Sequence, residues 1–211
     1  MIVFEPAASP WWKDLLLAVP GGVTALAAVV GVRIAGAGLN TWRRETIGKR
    51  KAELAEAVLA DFYEARDIIS AARSPGGFAD EGRTRQRAEN ETEDDSRNLD
   101  SYFRTIERLN NKNEFFAQLH SSRYRFQAIF GKSSGVPFDE VFKIRNEVII
   151  AGRMLMMYDN AGDIGTLPQN RPVWLAALGW DPTNDPITPR LDASVEAVEK
   201  TCRPAIAESA E

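Results

Sequence analysis

The sequence predicts an all-α protein: one N-terminal transmembrane helix followed by a cytoplasmic antiparallel helical bundle. Three observations carry that prediction. Leu15 to Val32 is a run of 18 residues without a charged side chain. Asn40 to Arg73 then repeats its apolar residues with helical period. No later stretch alternates in the manner of a strand, and no internal repeat is present. The organisation read from these signals is a short extracytoplasmic N-terminus at 1–12, a span at 13–39 and a bundle of about four helices at 40–211, with a mobile polar insert at 76–98.

Composition narrows the functions on offer. The chain has 211 residues, 27% of them charged, and a formal net charge of −4, which gives no electrostatic footprint for nucleic acid. One cysteine, Cys202, excludes an internal disulfide framework and suits a reducing compartment. One histidine, His120, closes off most triads, imidazole metal sites and proton shuttles, and no cofactor is expected.

The span comes first. A bilayer core of about 30 Å takes roughly 20 apolar residues as helix. Lys13 and Asp14 bound the run on one side, Arg43 and Arg44 on the other, and apolar character resumes after Arg33 through Leu39. Trp11 and Trp12 before it and Trp42 after it are placed as interfacial anchors. Pro20 falls in the first turns, and Arg33 is close enough to the end to reach the headgroups. Basic residues gather on one side, at Arg43, Arg44, Lys49, Arg50 and Lys51, against Lys13 alone on the other. The positive-inside rule therefore puts the N-terminus outside, the large domain in the cytoplasm and those five cations at the membrane surface. A cleaved signal peptide is the competing reading, with Ala35-Gly36-Ala37 shaped like a cleavage site. Glu5 and Asp14 ahead of the apolar run, and no basic n-region, argue against it. Ala27, Gly31 and Ala35 recur every four residues, a spacing that lets two spans approach.

On a helical projection Ile47, Leu54, Ala55, Val58, Leu59, Phe62, Ala65, Ile69 and Ala72 share an arc of about 140°, with Glu53, Glu56, Glu64 and Asp67 outside it. Gly36, Gly38 and Asn40 offer a joint between span and helix, and Ser74-Pro75-Gly76-Gly77 stops the helix. From Phe78 to Asn98, arginines and then acids leave almost nothing to bury, which makes the insert mobile with partial helix at best. Leu99 to Phe130 reads as helix that changes face at Asn110, Asn111 and Asn113, where a kink or break is expected. Gly131-Lys132-Ser133 looks like the end of a phosphate-binding loop. The pattern needs glycine at position 126, which is Phe126, so the stretch is read as a turn, with Pro137 opening the next helix.

That helix, Pro137 to Tyr158, sets Phe138, Val141, Phe142, Val148, Ile149, Gly152, Leu155 and Met156 on one arc, and Arg145 falls in the middle of it. A buried arginine must find a carboxylate or several carbonyls. Three readings stand: an ion pair with another helix, for which Asp61 is the candidate; a stem along the core with its head exposed; or a ligand-binding residue. Prolines at 168, 172, 182 and 186 bar one regular element from 160 to 189, although Val173 to Leu178 can form a helical turn or two with Trp174 and Trp180 covering the core. Leu191, Val195, Val198 and Cys202 share the face of a last helix, which Pro204 ends or disturbs, and Cys202 is expected to be packed and unreactive.

Leu39 to Pro75, with its tryptophan and basic residues after a span and its helix ending in arginine and proline, resembles uncharacterised bacterial single-pass membrane proteins with a cytoplasmic helical domain. Leu119 to Lys132 has a similar character. The resemblance carries no catalytic motif and implies no site residues. Two functions remain: a membrane-anchored scaffold or interaction module, self-associating or assembling with another membrane protein, and a membrane-bound enzyme or ligand-binding protein centred on Arg145. The lack of a nucleophile elbow, metal-ligand spacing or phosphate loop favours the first.

Overall fold

A computed structural model describes residues 11–78, 81–89, 91–160 and 169–209, with side chains from Ala28 onward except at 37, 39–41 and 160. Every element among the described residues is helical. Six α-helices follow in order: α1 Trp11–Ala72, α2 Glu93–Asn110, α3 Asn113–Phe130, α4 Val136–Asn160, α5 Arg171–Ala177 and α6 Thr188–Ala207. Short 3-10 turns occupy Lys132–Gly135 and Pro182–Asn184. The chain divides into two units, Met1–Lys49 and Arg50–Glu211.

In the first unit α1 passes through Gly36, Gly38 and Asn40 as helix, so of the two possibilities the sequence leaves open there, a joint or a continuous helix, it is the continuous one. None of its described side chains is buried, and Val29, Val30, Val32 and Ile34 all face outward. Among the described residues no helix is long and apolar enough to cross a membrane. Of the transmembrane helix expected at 13–39, only residues 28–36 and 38 have described side chains, so most of that expectation lies outside the described residues. The expected extracytoplasmic segment 1–12 lies outside them too, except for the helical backbone of Trp11 and Trp12.

In the second unit the helical stripe of α1 becomes the core. Ala55, Val58, Phe62, Ala65, Ile69 and Ala72 are buried in the expected order. A fully buried Val, Ile or Phe contributes about 1.5–3 kcal/mol. Ile47, expected at the head of the same stripe, is 66% exposed. It belongs to the first unit, where nothing packs on it. Phe62 meets Phe138 of α4 edge to face, ring centroids 4.8 Å apart.

Helix α4 is the hub and packs on α2, α3, α5 and α6. It comes close to α2 because Gly152 has no side chain. A Cβ there would lie 3.1 Å from Ile106 Cδ1 and 3.3 Å from the Tyr102 carbonyl oxygen. The predicted break at Asn110, Asn111 and Asn113 is the junction of α2 and α3, and Pro137 lies in the first turn of α4. Helix α2 begins at Glu93, inside the stretch expected as an insert, because the Thr92 hydroxyl accepts from the Asp95 amide at 3.2 Å and three acids line its positive end. Arg85, reaching Glu91 and Asp100, ties the rest of that stretch to α2. Its guanidinium holds the Glu91 carboxyl at about 2. Helix α6 buries Leu191, Val195, Val198 and Cys202 as expected. It continues past Pro204 to Ala207, since Ala205 is packed and the Pro204 carbonyl still accepts from the Glu208 amide at 3.0 Å.

The least predictable feature is the end of α1. Arg73, only 5% exposed, spends all five of its N–H groups. Nε donates to the Ala177 carbonyl at 2.8 Å, and Nη2 to the Ala176 carbonyl at 3.1 Å. Nη1 and Nη2 grip the two oxygens of Asp185 at 3.3 and 2.5 Å, and Nη1 also reaches the Thr188 hydroxyl at 3.1 Å. Two of these acceptors are the last carbonyls of α5, which as a helix end need donors. Gly179 turns the chain out of α5 with φ +80°, its amide on the Ala176 carbonyl and the Trp180 amide on that of Leu175, both at 3.0 Å. A Cβ on Gly179 would sit 2.8 Å from the Arg73 carbonyl oxygen, so only glycine fits.

Arg73→Ala should cost about 3–5 kcal/mol by leaving the Asp185 carboxylate without its counter-charge and the Ala177 carbonyl without its donor, as read by denaturant unfolding. Burial pushes the Asp185 carboxyl up, but the hydrogen bonds from Arg73, from the Thr188 hydroxyl and from the amides of Ile187 and Thr188 outweigh it and hold the group below its ordinary 3.8. A depressed carboxyl contributes stability above its unfolded pKa, and that contribution is lost as pH falls through the lower folded value. Asp185→Asn should therefore lower the Tm at neutral pH and flatten its decline below about pH 4. An acid limb as steep as in the unmodified chain would remove Asp185 from this role.

Candidate functional site

Arg145, the sequence's ligand-binding candidate, projects from α4 toward α3. Nη2 donates to Asn113 Oδ1, and the guanidinium lies over the Phe116 ring with its carbon 4.8 Å from the centroid. Nε is buried without a hydrogen-bond partner among the described residues, and burial pushes the pKa of the group down. The Asp61 pairing does not form. Asn113 and Phe116, on α3, take the guanidinium, while Asp61 lies on α1 with its carboxyl pushed up by burial and by Glu64. Of the three readings, the stem along the core with a half-exposed head is what the contacts describe.

His120 shares this face of α3. It is exposed, stands edge-on to Phe142 at 5.1 Å and has its Nε2 3.5 Å from the Tyr124 hydroxyl. The polar groups of the patch, Arg145, Asn113 and His120, thus surround an aromatic floor of Phe116 and Phe142. Such a patch sets one guanidinium beside an amide and an imidazole, the kind of grouping that can orient an anion. Among the described residues no group of three or more His, Cys, Asp or Glu could hold a metal ion. Cys202 is fully buried and its thiol is pushed up to about 11, in keeping with an unreactive packed side chain.

The expected membrane-surface cations separate into two groups. Arg43, Arg44, Lys49 and Arg50 are exposed, as is Trp42 at 61%. Lys51 is half-buried and turned onto the bundle, its Nζ 5.5 Å from the Phe130 centroid and 3.9 Å from Glu208. It begins the packed part of α1, where the helix acquires neighbours. Trp11 and Trp12, as interfacial anchors, have side chains outside the described residues.

A sizeable groove lies elsewhere. A groove of about 1080 Å³ runs beside the end of α1, with Ile68 and Ala71 on its floor, Phe78 at its lip, Glu64 and Asp67 along one edge and Lys112 on the other. Arg108 of α2 builds its wall. Nη1 donates to the Ala71 and Ser74 carbonyls at 3.0 and 3.2 Å, Nη2 to the Gly76 carbonyl at 2.9 Å, and the head also pairs with Glu81. Phe78, carried beyond Gly76-Gly77, is 83% exposed. Sequence reasoning passed over this groove because all but one of its lining residues, Ala72, lay outside an apolar arc. One signal was available: a helix ending Ala-Ala-Arg-Ser-Pro leaves carbonyls that need donors from outside. No protein family, curated protein or solved structure matches the chain.

Arg145 and Arg73 give opposite expectations for one substitution. Arg145→Met keeps an apolar stem and should change unfolding stability by no more than about 1 kcal/mol. Arg73→Met should cost at least about 3 kcal/mol. Equal losses in the two variants would mean that Arg145 is held by a charge partner.

Proposed function

We propose that the protein is a membrane-anchored helical scaffold or interaction module, spanning the bilayer within 13–39 with its bundle in the cytoplasm. One observation carries this reading: Val29, Val30, Val32 and Ile34 are exposed on a helix whose upstream sequence, from Leu15, is an uncharged run. Apolar surface left in water costs roughly 25 cal/mol per Å², and a hydrocarbon core removes that cost for a full turn-by-turn stripe. The exposed cations Arg43, Arg44, Lys49 and Arg50 follow at once and suit an anionic inner leaflet, each worth about 1 kcal/mol. The bundle beyond offers grooves, and the bilayer, a second copy or another membrane protein are its partners in this reading.

The experiment has two parts. The full chain should remain in the membrane pellet after alkaline carbonate washing, and neutralising the four exposed cations should leave it there. With cysteine at Ser9 or at Gly77, an impermeant thiol reagent on whole cells should label the first and not the second. Carbonate release would sink the anchor, and the reverse labelling would sink the orientation.

A second reading, a ligand-binding or enzymatic site at Arg145, is favoured by the unpartnered buried Nε. Titration with phosphate and with acetate, followed by the Arg145 Nε–H resonance, decides it. A saturable shift lost in Arg145→Met supports the site, and no shift rejects it.

A further inference from the structure

Two surfaces of the bundle are left open, and they match each other. The first is the groove beside α1, apolar along Ile68, Ala71 and Phe78 and edged by Glu64 and Asp67. Among the described residues neither acid is paired across helices, and Asp67 makes an exposed approach to its neighbour Arg66 at 3.5 Å. The second is the outer face of α4. Ile150 and Met157 are both 55% exposed, and Val173 beside Ile150 is 58% exposed. Ile150, Arg153 and Met157 recur at spacings of three and four and so form one ridge on the helix. Lys143 lies two turns before Ile150 on that helix and makes an exposed pair with Glu140 at 3.7 Å, and Arg153 has no ion pair among the described residues. Depressions flank the ridge on both sides, one of about 450 Å³ lined by Arg153 and Met157 and one of about 430 Å³ lined by Lys143, Ile150 and Val173.

We propose that the α4 ridge of one copy docks into the α1 groove of a second copy of this chain. Ile150 and Met157 fill the floor against Ile68, Ala71 and Phe78, while Arg153 and Lys143 lie along Glu64 and Asp67. The complementarity selects this occupant. On the α1 edge of the groove Glu64 and Asp67 have no partner on another helix among the described residues. The ridge presents Arg153 without an ion pair among them, while both nearby acids of α4 are taken, Glu147 by Arg190 at 2.7 Å and Glu140 by Arg190 at 2.8 Å and by the exposed Lys143 at 3.7 Å. Groove and ridge are different surfaces, so the contact is heterologous. Each copy keeps one unused surface, and association propagates beyond a pair until it closes or meets a capped copy. The proposal specifies the partner within the scaffold reading and rests on it. It does not depend on where the chain resides.

Disulfide trapping tests it with the full chain in whichever cell fraction holds it. Buried Cys202 stays out of the reaction. One tagged copy carries Phe78→Cys and a differently tagged copy carries Met157→Cys. Mild oxidation should join unlike copies at least tenfold more than like copies, and a chain with both substitutions should give a ladder. Adding Ala71→Asp to the first copy or Arg153→Asp to the second, both at exposed positions, should reduce the mixed product at least tenfold. Like–like products in excess, no product at all, or a mixed product indifferent to the two aspartates would overturn the proposal. Sedimentation of the purified chain gives a second readout. Mass should rise with concentration in the unmodified protein. An equal mixture of the Ala71→Asp and Arg153→Asp chains should stop at a pair, and either variant alone should stay single. An unmodified chain that remains single across the range overturns the proposal as well. None of these outcomes bears on carbonate extraction, so failure here leaves the anchor standing.

Discussion

A guanidinium that cannot be wetted sets the terms for the second half of this bundle. Arg73 enters the interior at the point where α1 stops, and a charge in that position is tolerable only if each of its donors is met. The chain meets them with two carbonyls from the end of α5, both oxygens of Asp185 and the hydroxyl of Thr188. Those acceptors come from three successive pieces of backbone, so one side chain fixes where α5 ends, how 178–187 returns and where α6 begins. Gly179 follows from the same constraint, since the turn out of α5 passes against the carbonyl of Arg73 itself. Besides the arginine, the proline-rich connection is anchored by Leu178 and Ile187, both fully buried in the core, and by the two tryptophan rings lying on Tyr158 and Tyr102.

Arg108 does for the other side of the same helix end what Arg73 does for the interior. Its donors cover carbonyls of Ala71, Ser74 and Gly76, so Ser74 to Gly76 is held to α2 despite a sequence rich in helix-breaking residues. Arg108 covers carbonyls at the end of α1 and Arg73 covers those at the end of α5, so the two make this point the junction where α1, α2, α5 and α6 are registered.

The sequence made the helices legible because burial leaves a period. The stripe from Ala55 to Ala72, the break at the asparagines and the packed face of α6 all follow from spacing alone. Ile47 shows the limit: it has the right phase, but phase says only which way a residue points and not whether a neighbour exists there. The candidate site was legible only by position. Arg145 attracted notice because it interrupts an apolar arc, yet a long flexible stem lets its charge leave the interior over Phe116. Arg73 drew none, sitting at a helix end beside Ser-Pro-Gly-Gly where a charge looks ordinary, and its partners lie 103 to 115 residues away. Long-range hydrogen bonds leave no local period. The pairs of Arg85 with Glu91 and Asp100 are nearer, 6 and 15 residues away, but charges within a polar stretch leave no period either.

The single thiol, finally, makes α6 a timekeeper. Cys202 is sealed in the core, and its raised pKa leaves very little thiolate at neutral pH even for a reagent that reached it. In the folded state the thiol is therefore silent and cannot cross-link the chain to a neighbour. Reaction requires that α6 first come away from α4, exposing Leu191, Val195 and Val198 along with the cysteine. The rate of alkylation then counts openings of one helix, residue by residue comparable to amide exchange but read at one atom. The protein carries an intrinsic gauge of its own local unfolding, needing no added probe.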